Sequence, residues 1–231
     1  LGFAGKETFA EILEGACAVS GIERIRFMTS HPKDISDELI DLLAAPNQVC
    51  EHLHLPVQSG SDAILEAMRR GYDRQAYLDL VRRLRAAVPA LALTTDLIVG
   101  FPGETEADFE DTLSLVEACE FDGEFTFIYS PRAHTAAARL PGRLDPKVAR
   151  ARMERLVDLV QTLGRKRNEA LLGTVVEVMV ERVSRHAAGE VMGRTRGHKP
   201  VNFPSTVEPG VLVRVELLEA TSTSFRGRQV G

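Results

Sequence analysis

A chain of 231 residues with 44% hydrophobic and 26% charged side chains is long enough to bury a sizeable core, and this composition excludes a disordered, fibrous or low-complexity state. No apolar run approaches the roughly 18 residues of a membrane-spanning helix, and Leu1 opens no charged-then-apolar signal segment, so a cytoplasmic protein is expected. The net charge of −5 is unevenly spread: residues 1–142 hold 12 basic and 23 acidic side chains, residues 143–167 hold 8 and 3, and residues 168–231 hold 8 and 7.

In chain order, residues 1–140 alternate strand-like apolar runs with amphipathic segments, the pattern of βα units around a parallel sheet. Gly2-Phe3-Ala4-Gly5 reads as the loop before a helix over Thr8 to Val19, and a first residue other than Met suggests a sequence that starts inside a longer protein. Ile22 to Met28 is a predicted strand, Ser36 to Leu43 a helix, and His52 to Val57 a strand with Pro56 near its carboxyl end. Ser59 and Asp62 stand at capping-box spacing for the next helix, and Gly71 suits its C-terminal cap. Asp73 caps a helix with Tyr77, Leu80, Val81, Leu84 and Val88 on one face, ended by Pro89. Leu91 to Val99 is a strand and Gly100 to Glu104 a tight turn. Thr105 caps a helix with Phe109, Leu113 and Val116 inward, and Phe125 to Tyr129 is a fourth strand. Four strands are too few to close an eight-stranded barrel.

Asp145-Pro146 is an N-cap and first-turn pair for a long helix reaching about Leu172, with Met153, Leu156, Val157, Val160 and Leu163 as its seam. Its opposite side carries Arg150, Arg152, Arg155, Arg165, Lys166 and Arg167. After Gly173 the period becomes two: Val176, Val178 and Val180, then Val211, Val213, Val215 and Leu217, punctuated by glycines. The expected fold class is α/β, a partial βα barrel over residues 1–142, a basic connecting helix over 143–172, and a small closed all-β barrel of the OB-like kind over 173–231.

Ligands in a parallel sheet gather at the carboxyl ends of strands. Ser30-His31, Gln58-Ser59-Gly60-Ser61 and Gly100 to Glu104 fall there, and Pro102-Gly103 suits the centre of a type II turn. Helix capping and a plain connector account for the same residues. His31 and His54 are candidate bases or ligands, although lone histidines near strand ends are more often structural. Cys17, Cys50 and Cys119 match no CxxC, zinc or iron–sulfur spacing and read as small buried hydrophobes, so no metal site is expected.

Four segments in order carry a resemblance: Arg24 to Pro32 (RIRFMTSHP), His54 to Asp62 (HLPVQSGSD), Thr95 to Thr105 (TDLIVGFPGET) and Phe127-Ile128-Tyr129-Ser130. This order resembles the radical S-adenosylmethionine methylthiotransferases, and Gly193-Arg194-Thr195 with Val201-Asn202-Phe203 resembles the TRAM domain that ends them. Thr29 to Pro32 with Leu55 to Ser61 is similar to the MiaB-type branch, which methylthiolates C2 of N6-isopentenyladenosine beside the tRNA anticodon. The threonylcarbamoyladenosine branch shares the Gln-Ser-Gly-Ser segment and stands as the alternative. The family also carries three cysteines in an N-terminal domain and a CxxxCxxC loop, which this sequence lacks, so the chain is expected to be a later-barrel and RNA-binding piece, inactive alone.

By that resemblance the whole enzyme uses S-adenosylmethionine and two 4Fe-4S clusters, a flavodoxin-type electron donor and tRNA, acts as a monomer without membrane contact, and inserts sulfur at an unactivated ring carbon by radical chemistry. Gln58 and Ser59 are implied as polar contacts to the cofactor's ribose or methionine, together with Asp96. Ile98, Gly100 and Phe101 are implied against its adenine, and Tyr129 and Ser130 beside it. Arg194, Arg196, Lys199, Phe203, Arg226 and Arg228 are candidates to pair RNA phosphates and stack a base. A non-catalytic RNA-binding module, and a metabolic enzyme gripping phosphate at Gly100 to Glu104, are the other readings.

Overall fold

A computed structural model of the chain describes residues 7–28, 31–133, 135–184 and 189–231; the expected loop at Gly2 to Gly5, and Thr29 and Ser30, lie outside them. A side-chain oxygen from a short polar residue caps every α-helix described. Thr8 caps α1 (Phe9–Cys17), Ser36 caps α2 (Asp37–Ala44) and Ser61 caps α3 (Asp62–Ala67). Asp73 caps α4 (Arg74–Ala87), Thr105 caps α5 (Glu106–Cys119) and Asp145 caps α6 (Pro146–Glu169). Each such cap satisfies amides that the first turn leaves unpaired, a contribution of about 1 kcal/mol.

Three parallel strands, β1 (His52–His54), β2 (Ala92–Val99) and β3 (Gly123–Ile128), pair in that order. Their alternation separates two faces. Leu53, Leu93, Leu97 and Val99 are fully buried with Tyr77 and Leu84 of α4, Phe109 and Val116 of α5, and Leu156 of α6. Aligned partners Asp96 and Phe125, and Ile98 and Phe127, share the opposite face with His54 and Thr94.

The predicted strand over Ile22 to Met28 is reduced to one bridge between Ile25 and Val49, because Arg24 and Arg26 on either side turn toward the second domain. The ladder of β1 runs one bond past His54, from the Leu55 N–H to the Thr94 carbonyl (2.7 Å); the Val57 N–H then turns to the Thr95 hydroxyl (3.0 Å), and backbone pairing resumes where the Gln58 N–H meets the Asp96 carbonyl. Ser61, not Ser59, caps α3, and that helix ends at Met68 with Arg69 in the left-handed region instead of at Gly71. Helix α6 ends at Glu169. Part of its basic side is turned inward: Arg152 is buried on Glu104 and Glu106, Arg155 reaches Glu106 and Glu110, and Arg167 reaches Asp122.

The last segment closes a barrel of β4 (Val175–Val183), β5 (Glu190–Thr195), β6 (Pro200–Pro204), β7 (Leu212–Ala220) and β8 (Phe225–Gln229) in the order β4-β5-β6-β8-β7. Val178, Val180, Val201, Phe203, Val215, Leu217 and Phe225 fill it. Gly193 and Gly227 belong to this close packing, since a Cβ at either would overlap the neighbouring strand. Among the described residues no helix is long and apolar enough to cross a membrane.

The β5–β6 turn is tied to the sheet. Arg24 donates to the Arg194 carbonyl (2.8 Å) and Arg26 to the Thr195 and Arg196 carbonyls (2.5 and 2.9 Å). Arg196 forks onto Glu51 and donates to the Val49 carbonyl (2.7 Å), and the Lys199 ammonium lies 2.9 Å from Asp122. Burial alone would raise the Asp122 carboxyl, but Lys199 and Arg167 outweigh it and hold it below the usual carboxylate range. Glu51 behaves alike: burial opposes ionisation and the hydrogen bonds from Arg196 prevail. Both folded-state pKa values are lowered, so their stabilisation is present above about pH 4 and is lost as pH falls through those values. Urea unfolding is therefore expected to show lower stability at pH 3 than at pH 7, with a smaller difference in an Asp122→Asn, Glu51→Gln double variant. Lys199→Met, which removes one cation from a buried acid, is expected to cost roughly 3 kcal/mol at pH 7.

Candidate functional site

A cleft of about 650 Å3 opens at the carboxyl edge of β1 to β3. Ile98, Phe101, Phe127 and Ile128 give it apolar walls, and Gln58, Asp96, Tyr129 and Ser130 supply polar groups. The Phe101 and Tyr129 rings meet edge to face with centroids 5.1 Å apart. Six of the eight residues implied as cofactor contacts are brought together here; Ser59 and Gly100 are not among the lining residues.

The Gln58-Ser59-Gly60-Ser61 segment divides its work. Gln58 has φ +74°, with its N–H on the Asp96 carbonyl (2.9 Å) and its own carbonyl accepting from Ile98 (2.9 Å). The following three residues clamp onto α5. The fully buried Ser59 hydroxyl lies 3.3 Å from that of Thr112, the Gly60 N–H donates to Thr112 Oγ1 (3.0 Å), and Ser61 Oγ donates to Asp108 (2.6 Å). A Cβ on Gly60 would overlap the Asp111 carbonyl and stand 2.6 Å from the Thr112 Cα. Ser59 is thus a structural tie between α3 and α5, which corrects its expected place at the cofactor.

The turn after β2 forms as its residues imply. The Glu104 N–H meets the Phe101 carbonyl (2.9 Å) and Gly103 has φ +88°. Gly100, at φ +78°, donates its N–H to the Glu104 carboxylate (2.9 Å), which also takes Arg152 (2.7 Å). Burial raises the Glu104 carboxyl, partly offset by Gly100 and Arg152. Gly100 therefore anchors the turn from behind.

Beneath the cleft runs a polar column that adds His52, Thr94 and His198 to the His54 and Asp96 singled out in the sequence. His54 Nδ1 lies 3.0 Å from Thr94 Oγ1 and Nε2 3.5 Å from Asp96. His52 Nε2 is 3.3 Å from the same Thr94 oxygen, and its ring centroid is 4.9 Å from that of His198 in the β5–β6 turn. Burial, then His198 and Arg26, push the His52 pKa down to about 3, so His52 is neutral near pH 7. The alternation of His52 with His54, and of Thr94 with Asp96, was the signal for this shared face.

The residues expected to meet RNA are largely engaged. Phe203 is fully buried in the barrel core, so it stacks on no base. Arg196 and Lys199 hold the junction to Glu51 and Asp122. Arg194 pairs with Glu181, Arg226 with Glu190 and Arg228 with Glu216. The Arg226 and Arg228 side chains are more than half exposed, although Glu190 beneath Arg226 is buried; the more exposed Arg228–Glu216 pair is of the kind that contributes about 0–1 kcal/mol.

Residues 5–116 match the Radical SAM superfamily and residues 169–230 the TRAM domain. The chain therefore combines a Radical SAM domain with a TRAM domain. It shares its fold with coproporphyrinogen III oxidase of Escherichia coli, described as a radical SAM enzyme, at a TM-score of 0.52 and 14% identity over 87% of this chain and 50% of that one. More specifically, it is similar to proteins named tRNA-2-methylthio-N(6)-dimethylallyladenosine synthase. The one from Moorella thermoacetica is 50% identical over 96% of this chain and 50% of its own length, and one from Clostridium botulinum is 48% identical over 97% and 50%. The chain spans about half the length of these curated relatives.

The family implies S-adenosylmethionine and 4Fe-4S chemistry. The cleft fits the first: an apolar slot beside a carboxylate and an amide suits an adenosine group, and the Tyr129 hydroxyl is buried with no hydrogen-bond partner among the described residues. An iron–sulfur cluster does not fit. Cys50 and Cys119 are buried, burial pushes the Cys119 thiol up to about 12, and no group of three or more His, Cys, Asp or Glu among the described residues is placed to hold a metal ion. Gly103→Val should cost roughly 1–2 kcal/mol, because the left-handed conformation disfavours a β-branched residue. Gly60→Ala should cost roughly 1–3 kcal/mol through overlap with α5. Urea titration of both variants checks the two values.

Proposed function

We propose that the chain forms the S-adenosylmethionine wall and the RNA-binding domain of a tRNA methylthiotransferase acting at C2 of N6-isopentenyladenosine beside the anticodon. The observation that carries this reading is the match of nearly the whole chain, at about half identity, to relatives bearing that name. In radical S-adenosylmethionine chemistry the cofactor supplies a radical that takes hydrogen from a carbon too weakly acidic for a general base. This chain's residues bind and orient it: Gln58 and Asp96 hold polar groups of the cofactor, Ile98 and Phe101 cover its adenine, and Tyr129 and Ser130 close the edge.

His54, buried between Thr94 and Asp96, fixes the Asp96 carboxylate. Phe125 and Phe127 on the same face are more than half exposed and offer an apolar surface above the sheet. The exposed guanidiniums of Arg226 and Arg228 take phosphates, while Arg196 and Lys199 hold the TRAM barrel to the sheet and Arg194 pairs with Glu181 within the barrel. The reading divides the chain into residues 1–142, 143–172 and 173–231. It also includes two 4Fe-4S clusters in the whole enzyme, a flavodoxin-type electron donor, a monomer and a cytoplasmic setting.

The test is RNA binding by the chain, followed by fluorescence anisotropy. Anticodon stem-loops carrying N6-isopentenyladenosine are expected to bind roughly 10-fold tighter than unmodified ones, the worth of a small apolar group in an apolar pocket. Preference for a threonylcarbamoyladenosine stem-loop would transfer the reading to that branch. Equal affinity for all three would leave a general RNA-binding module.

A further inference from the structure

Arg69 ends α3 in an unusual way. Its N–H donates to the Glu66 carbonyl (2.8 Å) and the Arg70 N–H to the Leu65 carbonyl (3.0 Å), the two bonds of a Schellman cap. In such a cap the residue at this position is left-handed and usually glycine; Arg69 takes it at φ +58°. A long cation is held in a strained backbone at the mouth of the cleft, which Arg70 and Arg132 also line. Neither Arg69 nor Arg132 has a hydrogen-bond or ion-pair partner for its guanidinium among the described residues. Most of the TRAM arginines, by contrast, are paired with acids.

More positive charge stands behind them. The Lys33 ammonium packs on Gly71, so close that a Cβ there would be 2.6 Å from Nζ. His31 is depressed below its ordinary value by burial first and then by Arg70, with Lys33 adding to the effect. Asp62, Glu66 and Asp73 share a neighbouring groove with Arg69, yet Asp62 and Asp73 accept the backbone N–H groups of Arg74 and Ala76. Residues 1–142 carry a net excess of acids, so this collar of cations on one opening is a local feature.

We propose that Arg69 and Arg132 form a phosphate-gripping rim that takes RNA backbone phosphates flanking the nucleotide whose base enters the cleft. The inference rests on the RNA reading above and deepens it. A base reaches an enclosed pocket only by leaving its stack, with sugar and phosphate remaining at the entrance. Two separate guanidiniums at that entrance suit successive phosphodiesters, whereas the polar groups on the floor suit the cofactor. Lys33 and Arg70 extend the same field.

The test compares the unaltered 231-residue chain with an Arg69→Asn, Arg132→Gln variant, Asn being tolerated in the left-handed region. The probe is the isopentenyladenosine stem-loop, and its affinity is followed by anisotropy across salt concentrations. Losing two phosphate contacts should lower the slope of log affinity against log salt by roughly one to one and a half units and weaken binding about 10-fold at low salt. Arg150→Gln with Arg165→Gln, on the exposed side of α6, should leave the slope alone. Circular dichroism confirms that each variant is folded.

Equilibrium dialysis with S-adenosylmethionine separates the two anion sources. Unchanged cofactor binding with a reduced RNA slope supports the rim. Reduced cofactor binding with an unchanged RNA slope assigns the cations to the cofactor carboxylate and overturns it. An unchanged slope and affinity in the folded variant overturns the rim and leaves the RNA reading intact. No RNA binding by the unaltered chain overturns both.

Discussion

Strand β2 must satisfy two faces at once, and most of the molecule is arranged around that demand. Leu93, Leu97 and Val99 are fully buried among the helices, while Thr94, Asp96 and Ile98 between them face the histidines and the cleft. A slip of one residue would bury Asp96 in the helical core and open Leu97 to the cleft. The register is fixed from both sides. Tyr77 and Thr95 both donate hydroxyl hydrogen bonds to the Leu55 carbonyl (2.8 and 2.9 Å), and Asp122 accepts the Leu93 N–H (3.0 Å). The cleft face thus inherits its register from a hydrocarbon core on the other side of the sheet.

A second consequence concerns the TRAM barrel. Arg24, Arg26, Arg196 and Lys199 join it to the sheet through carbonyls and two buried or half-buried carboxylates. Asp122 belongs to both arrangements, holding the backbone of β2 while receiving Lys199. Bonds to charged groups each contribute about 1.5–3 kcal/mol, and partly satisfied buried charges are destabilising, so the junction favours a single docked position. A barrel held this way presents its exposed face at a fixed place relative to the cleft, which is what an RNA contacting both parts requires.

The caps at Asp73, Thr105 and Asp145 were legible because a capping bond spans only two or three residues. The positive φ of Gly103 was legible for the same local reason. Ser59 and Ser61 were not separable by spacing, since what distinguishes them is Thr112 and Asp108 on a helix some fifty positions away. The strand expected over Ile22 to Met28 needed a neighbour of equal length, which local pattern cannot supply. Arg152, Arg167 and Arg196 read as free cations because their acidic partners belong to other elements. Phe203 was misplaced: expected to stack a base, it alternates with Asn202 and packs with Val201 in the barrel core, because an aromatic among basic residues reads alike in sequence whichever way it faces.

In the proposed reading the cleft and the RNA-facing surfaces come from different residues, and its central claim is that adenosine binds in the cleft. Photolabelling the chain with an azido-adenine analogue of S-adenosylmethionine, followed by peptide mass spectrometry, tests this most directly. Label is predicted on the peptides carrying Ile98, Phe101 and Tyr129, and it should be lost on competition with S-adenosylmethionine. Competable label confined to residues 173–231 would contradict the account.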